Sequence, residues 1–334
     1  MTMGRTYTFT IGTAETGMRL DHYLVRRLPA AVSRMMIQRS IRGGHVTLEQ
    51  RAAKPHYRLR SGDVISAYFE ELPSHGGDTP LTPQEIPFEI IHEDPQVLVV
   101  NKPPGLVTHP APGHWDGTLV NAIVWHLGQG EATKPHNGSS EAAPPRAGIV
   151  HRLDKDTSGL LLVAKTATTH VALSRQLKAR TIHRRYLAVV EGHLPLNVGT
   201  VNAAIGRHQV NRKLMTVRHL GGRTAVTHYR VVRRIERSGA RYTLVDVSLD
   251  TGRTHQIRVH LAHLGYPVVG DTVYGRHGVA FWQGLGVPRQ LLHAYRITFQ
   301  HPSTKKAVTL EAPLPEDIAG WCDAESRRRL QVAV

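Results

Sequence analysis

A single cysteine, Cys322, stands among 334 residues, which excludes an internal disulfide and a zinc site built from cysteines. No apolar run approaches the roughly 20 residues that a transmembrane helix needs. The opening MTMGRTYTFT also lacks the apolar core of a signal peptide, so a cytoplasmic protein without a membrane partner is expected. Acidic residues are few: 26 against 42 Lys and Arg, a net charge of +16. An anionic membrane surface would answer that charge, but the preference for Arg over Lys points first to nucleic acid, because guanidinium groups grip phosphates in pairs and stack on bases. A Gly-x-Ser-x-Gly elbow and a nucleophilic cysteine are missing. So are a phosphate-binding loop, since Ala164 stands where a Gly must precede Lys165, and the clustered carboxylates of a two-metal hydrolase. Histidine is plentiful, at 22. In the densest group, His255, His260 and His263, the first two diverge by about 140° on a helix, so no metal site is expected.

What is present divides into two parts, as the length suggests. From residue 17 to 70 the chain reads as a compact basic unit. Apolar residues at helical spacing begin at Met18. Ser33 suits the N-cap of a second helix that carries Arg34, Arg39 and Arg42 and stops at Gly43-Gly44, and short strands follow. Pro73 to Pro83 has the composition of a linker. Past it, Val97–Val100 is an apolar strand ending in the rigid turn Asn101–Gly105, and Leu119, Ile123 and Leu127 share a helix face. Gly128 to Pro145 has loop composition. Ala167–Ala179 fits a helix, His183–Val190 a strand that starts basic and becomes buried, and 198–249 an antiparallel part of a mixed sheet.

The most informative stretch is GIVHRLDKDTSGLLLVAK, Gly148–Lys165. Its charged block, centred on Asp154 with Arg152 and Lys155 beside it, runs straight into an apolar strand. The residues alone leave a structural salt-bridge turn and a reactive carboxylate both open. Tyr186 by itself reads as a core aromatic as readily as a functional one. In Leu249–Leu261, Thr254 can cap a helix from which His255, Arg258 and His260 project.

The run HRLDKDTSG, His151–Gly159, resembles the signature of the A-type branch of the pseudouridine synthases, which modify ribosomal and transfer RNA. Asn101–Gly105, Arg184-x-Tyr186-x-Ala188, the TGRTHQIRVH of Thr251–His260, Gly270-Asp271 with Tyr274-Gly275, and Leu292-His293-Ala294 with His301-Pro302 follow in the family's order. The front of the chain resembles the S4 RNA-binding domain, with Glu49-Gln50 where such domains often turn on Asn-Gly.

This resemblance implies an α+β protein: an S4-like domain over 1–72, a linker over 73–85, a catalytic domain over 86–320 on a mixed, largely antiparallel sheet with flanking helices, and a tail over 321–334. It implies Asp154 as nucleophile or base, Arg258 as its ion-pair partner, and Tyr186 beside the uracil. Arg152 would fill the space of the flipped base. His151, Lys102, Arg253 and His255 are expected on the RNA side of the cleft, and Arg34, Arg39 and Arg42 on phosphates. An isomerisation needs no cofactor, and none is expected. The expected partner is large-subunit ribosomal RNA, free or in pre-ribosomal particles, met by a monomer. The contrary reading, an inactive synthase fold that binds RNA during ribosome assembly, has against it the joint presence of Asp154, Tyr186 and Arg258.

Overall fold

A computed structural model describes residues 5–28, 34–69, 81–110, 116–129 and 145–331. The expected cap Ser33, most of the linker and most of the 128–145 loop lie outside the described residues. The chain divides into two compact units, Met1–Leu81 and Thr82–Val334.

The N-terminal unit contains β1 (Arg5–Thr10), α1 (Leu20–Arg27), α2 (Arg34–Arg42), β2 (Val46–Leu48), β3 (Arg51–Ala52) and β4 (Val64–Phe69). Its sheet runs β1-β4-β2-β3, antiparallel throughout. Leu20 and Leu24 on α1, and Ile37 and Ile41 on α2, each recur at four-residue spacing and therefore share a face. All four are buried with Val46, Ile65 and Ala67. The enclosed Asp21 is satisfied by Arg19 Nε at 3.0 Å and by Gln38 Nε2 of α2 at 2.7 Å, which fixes one helix on the other. Glu49 and Gln50 adopt φ of 48° and 65°, the left-handed pair that a two-residue hairpin turn requires, so the β2–β3 turn forms without Asn-Gly. Arg39 and Arg42 are exposed.

In the second unit the elements are β5 (Glu89–Glu93), β6 (Val97–Lys102), α3 (Leu119–Gln129), β7 (Ser158–Ala164), α4 (Ala167–Ala179), β8 (His183–Glu191) and β9 (Val198–Asn202). They continue with β10 (Ile205–Arg207), β11 (Met215–Val217), β12 (Val226–Arg237), β13 (Ala240–Leu249), α5 (Gln256–His263), α6 (Val279–Gly284), β14 (Leu292–Gln300), β15 (Ala307–Glu311), α7 (Glu316–Ala319) and α8 (Ala324–Gln331). Nine strands form the main sheet in the order β5-β6-β7-β14-β8-β13-β12-β9, with β15 on the far end of β14. Among their described pairings only β7–β14 is parallel. That junction depends on Gly159, where a Cβ would lie 2.2 Å from the Ala294 carbonyl oxygen; a bare backbone lets the two strands meet. Every residue of β7 is buried, because α4 covers one side of it and Leu160, Leu162 and Ala164 pack with Val97, Leu173 and Phe299.

The segment from 321, expected as a tail, is instead packed on the core as far as Leu330. Trp321, Cys322 and Leu330 pack on Leu187, Val189 and Leu244. The last carbonyls of α8, which no helix can satisfy internally, accept hydrogen bonds from sheet arginines: Arg230 to Arg329 O at 3.1 Å and Arg296 to Leu330 O at 3.2 Å. Among the described residues no helix is long and apolar enough to cross a membrane.

Candidate active site

The loop His151–Thr157 leads into β7 and is held by its own main chain. Thr108 Oγ1 donates to Leu153 O at 2.8 Å, Lys102 Nζ to Lys155 O at 2.9 Å, and Arg289 Nη1 to Asp156 O at 2.9 Å. Three successive anchors fix the backbone on both sides of Asp154 and leave its side chain free to be aimed. From the strand side, His151 Nε2 accepts the amide of Leu162 at 3.1 Å. Burial, helped by the charge of Arg184, pushes the pKa of His151 down to about 3, which keeps this acceptor neutral.

Lys102, expected to touch RNA, does not face it. It is fully buried, and its ammonium donates to Pro103 O, Leu106 O and Lys155 O at 2.7–2.9 Å, one carbonyl for each N–H. Burial lowers its pKa to about 7. Its task is to tie the Asn101–Gly105 turn to the Asp154 loop.

The positive charge at Asp154 comes from Arg258, as the resemblance implies, and not from its neighbours in sequence. Among the described residues no ion pair joins it to Arg152 or Lys155, which are exposed. Instead Arg258 of α5 donates through Nη1 to Asp154 Oδ2 at 3.2 Å. The same guanidinium is gripped from behind by Asp271, Nε to Oδ2 at 2.7 Å and Nη2 to Oδ1 at 2.9 Å. Although burial would lower the pKa of Arg258, hydrogen bonds and charge from Asp271, then from Asp154, raise it overall. For Asp271 burial acts upward, but Arg258 and the amides of Tyr274 and Val273 hold it below the usual carboxylate range. Asp154 keeps Oδ1 for other company: His255 Nε2, an ionisable nitrogen, lies 4.0 Å from it. Burial lowers the pKa of His255, against the pull of Asp154, and its Nδ1 shares a 2.7 Å hydrogen bond with Tyr274 OH.

Helix α5 begins one residue later than expected. Thr254 is not its cap; His255 occupies that position with φ 56° and makes no side-chain capping bond. Gln256 does the work, its Oε1 accepting from Arg253 N at 2.9 Å and Thr251 Oγ1 at 2.8 Å. The resulting turn directs Arg258 inward. His260 is buried between Thr227 Oγ1 and Ala203 O, and no three His, Cys, Asp or Glu side chains among the described residues cluster as metal ligands would.

Asp154, Tyr186 and Arg258 line one cavity of about 600 Å³, together with His151, Arg152, Arg253 and His255. Tyr186 is 4% exposed, and burial raises its pKa. Arg34 opens α2 in the N-terminal unit, which also carries Arg39 and Arg42. Sequence reasoning missed Asp271 and Arg289 as parts of this site. Asp271 stood inside a matched motif, but its separation from Arg258 says nothing of their contact.

Residues 96–263 match the family described as RNA pseudouridylate synthase, and 18–65 match the S4 domain. Over 317 residues the chain is 42% identical to a ribosomal large subunit pseudouridine synthase D of Xylella fastidiosa, covering 92% of this chain and 89% of that one. It is also 42% identical over 287 residues to the RNA pseudouridine synthase YlyB of Bacillus subtilis, covering 86% and 88%. Among solved structures, human RNA pseudouridylate synthase domain containing 1 shares the fold, with a TM-score of 0.56 at 23% identity over 77% of this chain and 98% of that one. With an S4 domain earlier in its sequence, the chain belongs to the RNA pseudouridylate synthase family, isomerases that convert uridine to pseudouridine in RNA.

Proposed function

We propose that the protein isomerises uridine in large-subunit ribosomal RNA, in the cytoplasm and as a monomer, with Asp154 as the reacting carboxylate. The observation that carries this is the asymmetry of Asp154. One oxygen is fixed by a buried guanidinium, the other is left 4.0 Å from His255, and the side chain lines a cavity large enough for a nucleoside. A stacked base cannot enter such a cavity, so the target uridine is flipped into it, with Arg152 at the rim taking the vacated place. Asp154 then attacks the nucleotide or takes a proton from its sugar, and Tyr186 flanks the uracil and assists loss of the C5 proton. Arg253 and His255 hold the nucleotide from the α5 side. Arg34, Arg39 and Arg42 contribute phosphate contacts from the S4 domain. The ribosomal target is supported by the relatives named for the large subunit.

Asp154→Asn tests this reading, since it preserves shape while removing the reactive oxygen anion. Tritium release from C5-labelled uridine in large-subunit transcripts should fall by at least about 10³-fold, while filter binding of the same RNA is kept. Full release by the Asn variant would remove Asp154 from the mechanism. No release by the unmodified protein, on transcripts or ribosomal particles, would favour an assembly factor without activity.

A further inference from the structure

Arg184 stands two residues before Tyr186 on β8, and residues i and i+2 of a strand point to the same side. Both line the cavity that holds Asp154. Between them, Arg185 turns to the opposite side and pairs with Asp246. The other arginines of the cavity are accounted for: Arg258 by two carboxylates, Arg253 by a 3.0 Å hydrogen bond to Thr224 O, and Arg152 and Arg180 by exposure to water. Arg184 has neither answer. Its side chain is half-buried, its Nε is sealed from solvent without a hydrogen-bond partner, and no carboxylate among the described residues pairs with it. Its guanidinium lies over Gly252, where a Cβ would stand 3.3 Å from Nη1. Its charge reaches both Tyr186 and His151: it opposes the rise that burial causes at Tyr186 and adds to the fall that burial causes at His151.

A cation kept in a partly dry wall without a counter-ion is costly unless its counter-charge arrives with the substrate. Arg184 shares the face of Tyr186, so the part of the nucleotide it meets is the base. Isomerisation generates negative charge there. When the C1′–N1 bond breaks, its electron pair stays on N1, and the uracil anion spreads that charge over N1, O2 and O4. After rotation C5 attacks C1′, the C5 proton passes to a base, N1 takes up a proton, and no further reactant is consumed. We propose that Arg184 is a further catalytic residue, which holds the detached uracil anion through its carbonyl oxygens. This rests on the reading of the site as uridine-isomerising with Tyr186 beside the base. A charge-assisted hydrogen bond that strengthens as the anion forms lowers the barrier without tightening ground-state binding.

The test compares Arg184→Met and Arg184→Lys with the unmodified protein on two RNAs carrying uridine or 5-fluorouridine at the target position. Single-turnover loss of the nucleoside is followed in nuclease digests. Fluorine makes the base more acidic, so its anion depends less on a cation. The Met variant should lose about 10²- to 10³-fold in the maximal rate on uridine, with the half-saturating RNA concentration changed by less than about threefold. On 5-fluorouridine the loss should be at least about tenfold smaller, and Lys should fall between Met and Arg. Equal losses on both RNAs would overturn the proposal. So would a shift in half-saturation with the maximal rate intact, which marks a phosphate contact. If the Met variant fails to melt cooperatively, Arg184→Gln and Arg184→Lys make the same comparison of the two bases. Inactivity of the unmodified protein on uridine RNA would instead overturn the functional reading itself, and this inference with it.

Discussion

Two buried charge clusters in the catalytic unit are built from the same groups in opposite proportion. Around Asp246, one enclosed carboxylate is shared by Arg185, by Arg230 at 3.1 Å and by Tyr295 OH at 3.2 Å. Around Arg258, one enclosed guanidinium is shared by Asp271 and Asp154. Both satisfy the requirement that a buried charge be paired. They differ in what is left over. Asp246 has no exposure and its oxygens are saturated, whereas Asp154 is 17% exposed and lines a cavity. Asp271 is as saturated as Asp246, taking the amides of Val273 and Tyr274 at 2.9 and 3.0 Å besides Arg258. Ion pairs of equal quality thus use up every acceptor at Asp246 and leave one at Asp154, where the proposed chemistry would draw on it.

The comparison breaks most sharply at Asp271. Asp271→Asn leaves Asp154 in place but frees the guanidinium that aims it, so turnover should fall by about 10²-fold, the scale of a misplaced reacting group. The unfolding free energy should drop by about 3–5 kcal/mol, as when one partner of a buried pair is removed. Tritium release and urea unfolding check both; unchanged turnover would show that Arg258 needs no support from behind.

Asp246→Asn should cost a similar 3–5 kcal/mol in urea unfolding, yet keep turnover within about twofold of the unmodified protein at a temperature where both are folded. A loss of turnover comparable to that of the Asp271 variant would erase the distinction between the two clusters.

Acid should act on the unit that holds both clusters. Burial pushes His151 and His293 down to about 3. The unfolded chain protonates these rings near 6.5 and the folded chain only near 3, so the unfolded state binds more protons between those limits. Stability is then complete above about pH 6.5 and declines as pH falls toward 3, by at most about 1.4 kcal/mol per pH unit for each ring. All four tryptophans lie in the second unit, so their fluorescence in urea reports on it alone. A midpoint independent of pH from 6.5 to 4 would contradict the neutral assignment of both histidines.

The smallest effect belongs to arginines that lie in neither cluster. Arg39→Ala with Arg42→Ala removes exposed charges from α2. RNA affinity should weaken, and the slope of log affinity against log salt should fall by about 0.7–0.9 for each phosphate that the variant no longer neutralises. The maximal rate at saturating RNA should hold. An unchanged salt slope would remove α2 from the RNA surface.

Several features were legible along the chain because they are local. The four-residue spacing of Leu20, Leu24, Ile37 and Ile41 writes two helices. The apolar run after Ser158 writes a buried strand. The signature His151–Gly159 and the +16 charge together imply an enzyme acting on RNA. The Glu49-Gln50 turn looked like a departure and formed regardless, because both residues accepted left-handed φ.

Residue types and spacing could not disclose which charges meet; only the resemblance pointed to the pair of Arg258 with Asp154, which spans 104 positions. Lys102 reaches the carbonyl of Lys155 across 53, and Arg289 reaches that of Asp156 across 133. The order of the sheet makes these encounters, by setting β14 between β7 and β8 and bringing α5 to the mouth of the same loop. Residues nearest in sequence were therefore poor guides to electrostatics: Arg152 and Lys155 flank Asp154 and point to water. Tertiary structure alone decided that Lys102 is a tether, that Trp321, Cys322 and Leu330 close a core, and that Arg184 is left without a counter-charge. Periodicity is fixed by bonds between neighbours, whereas pairing and desolvation depend on what packing brings within a few ångströms.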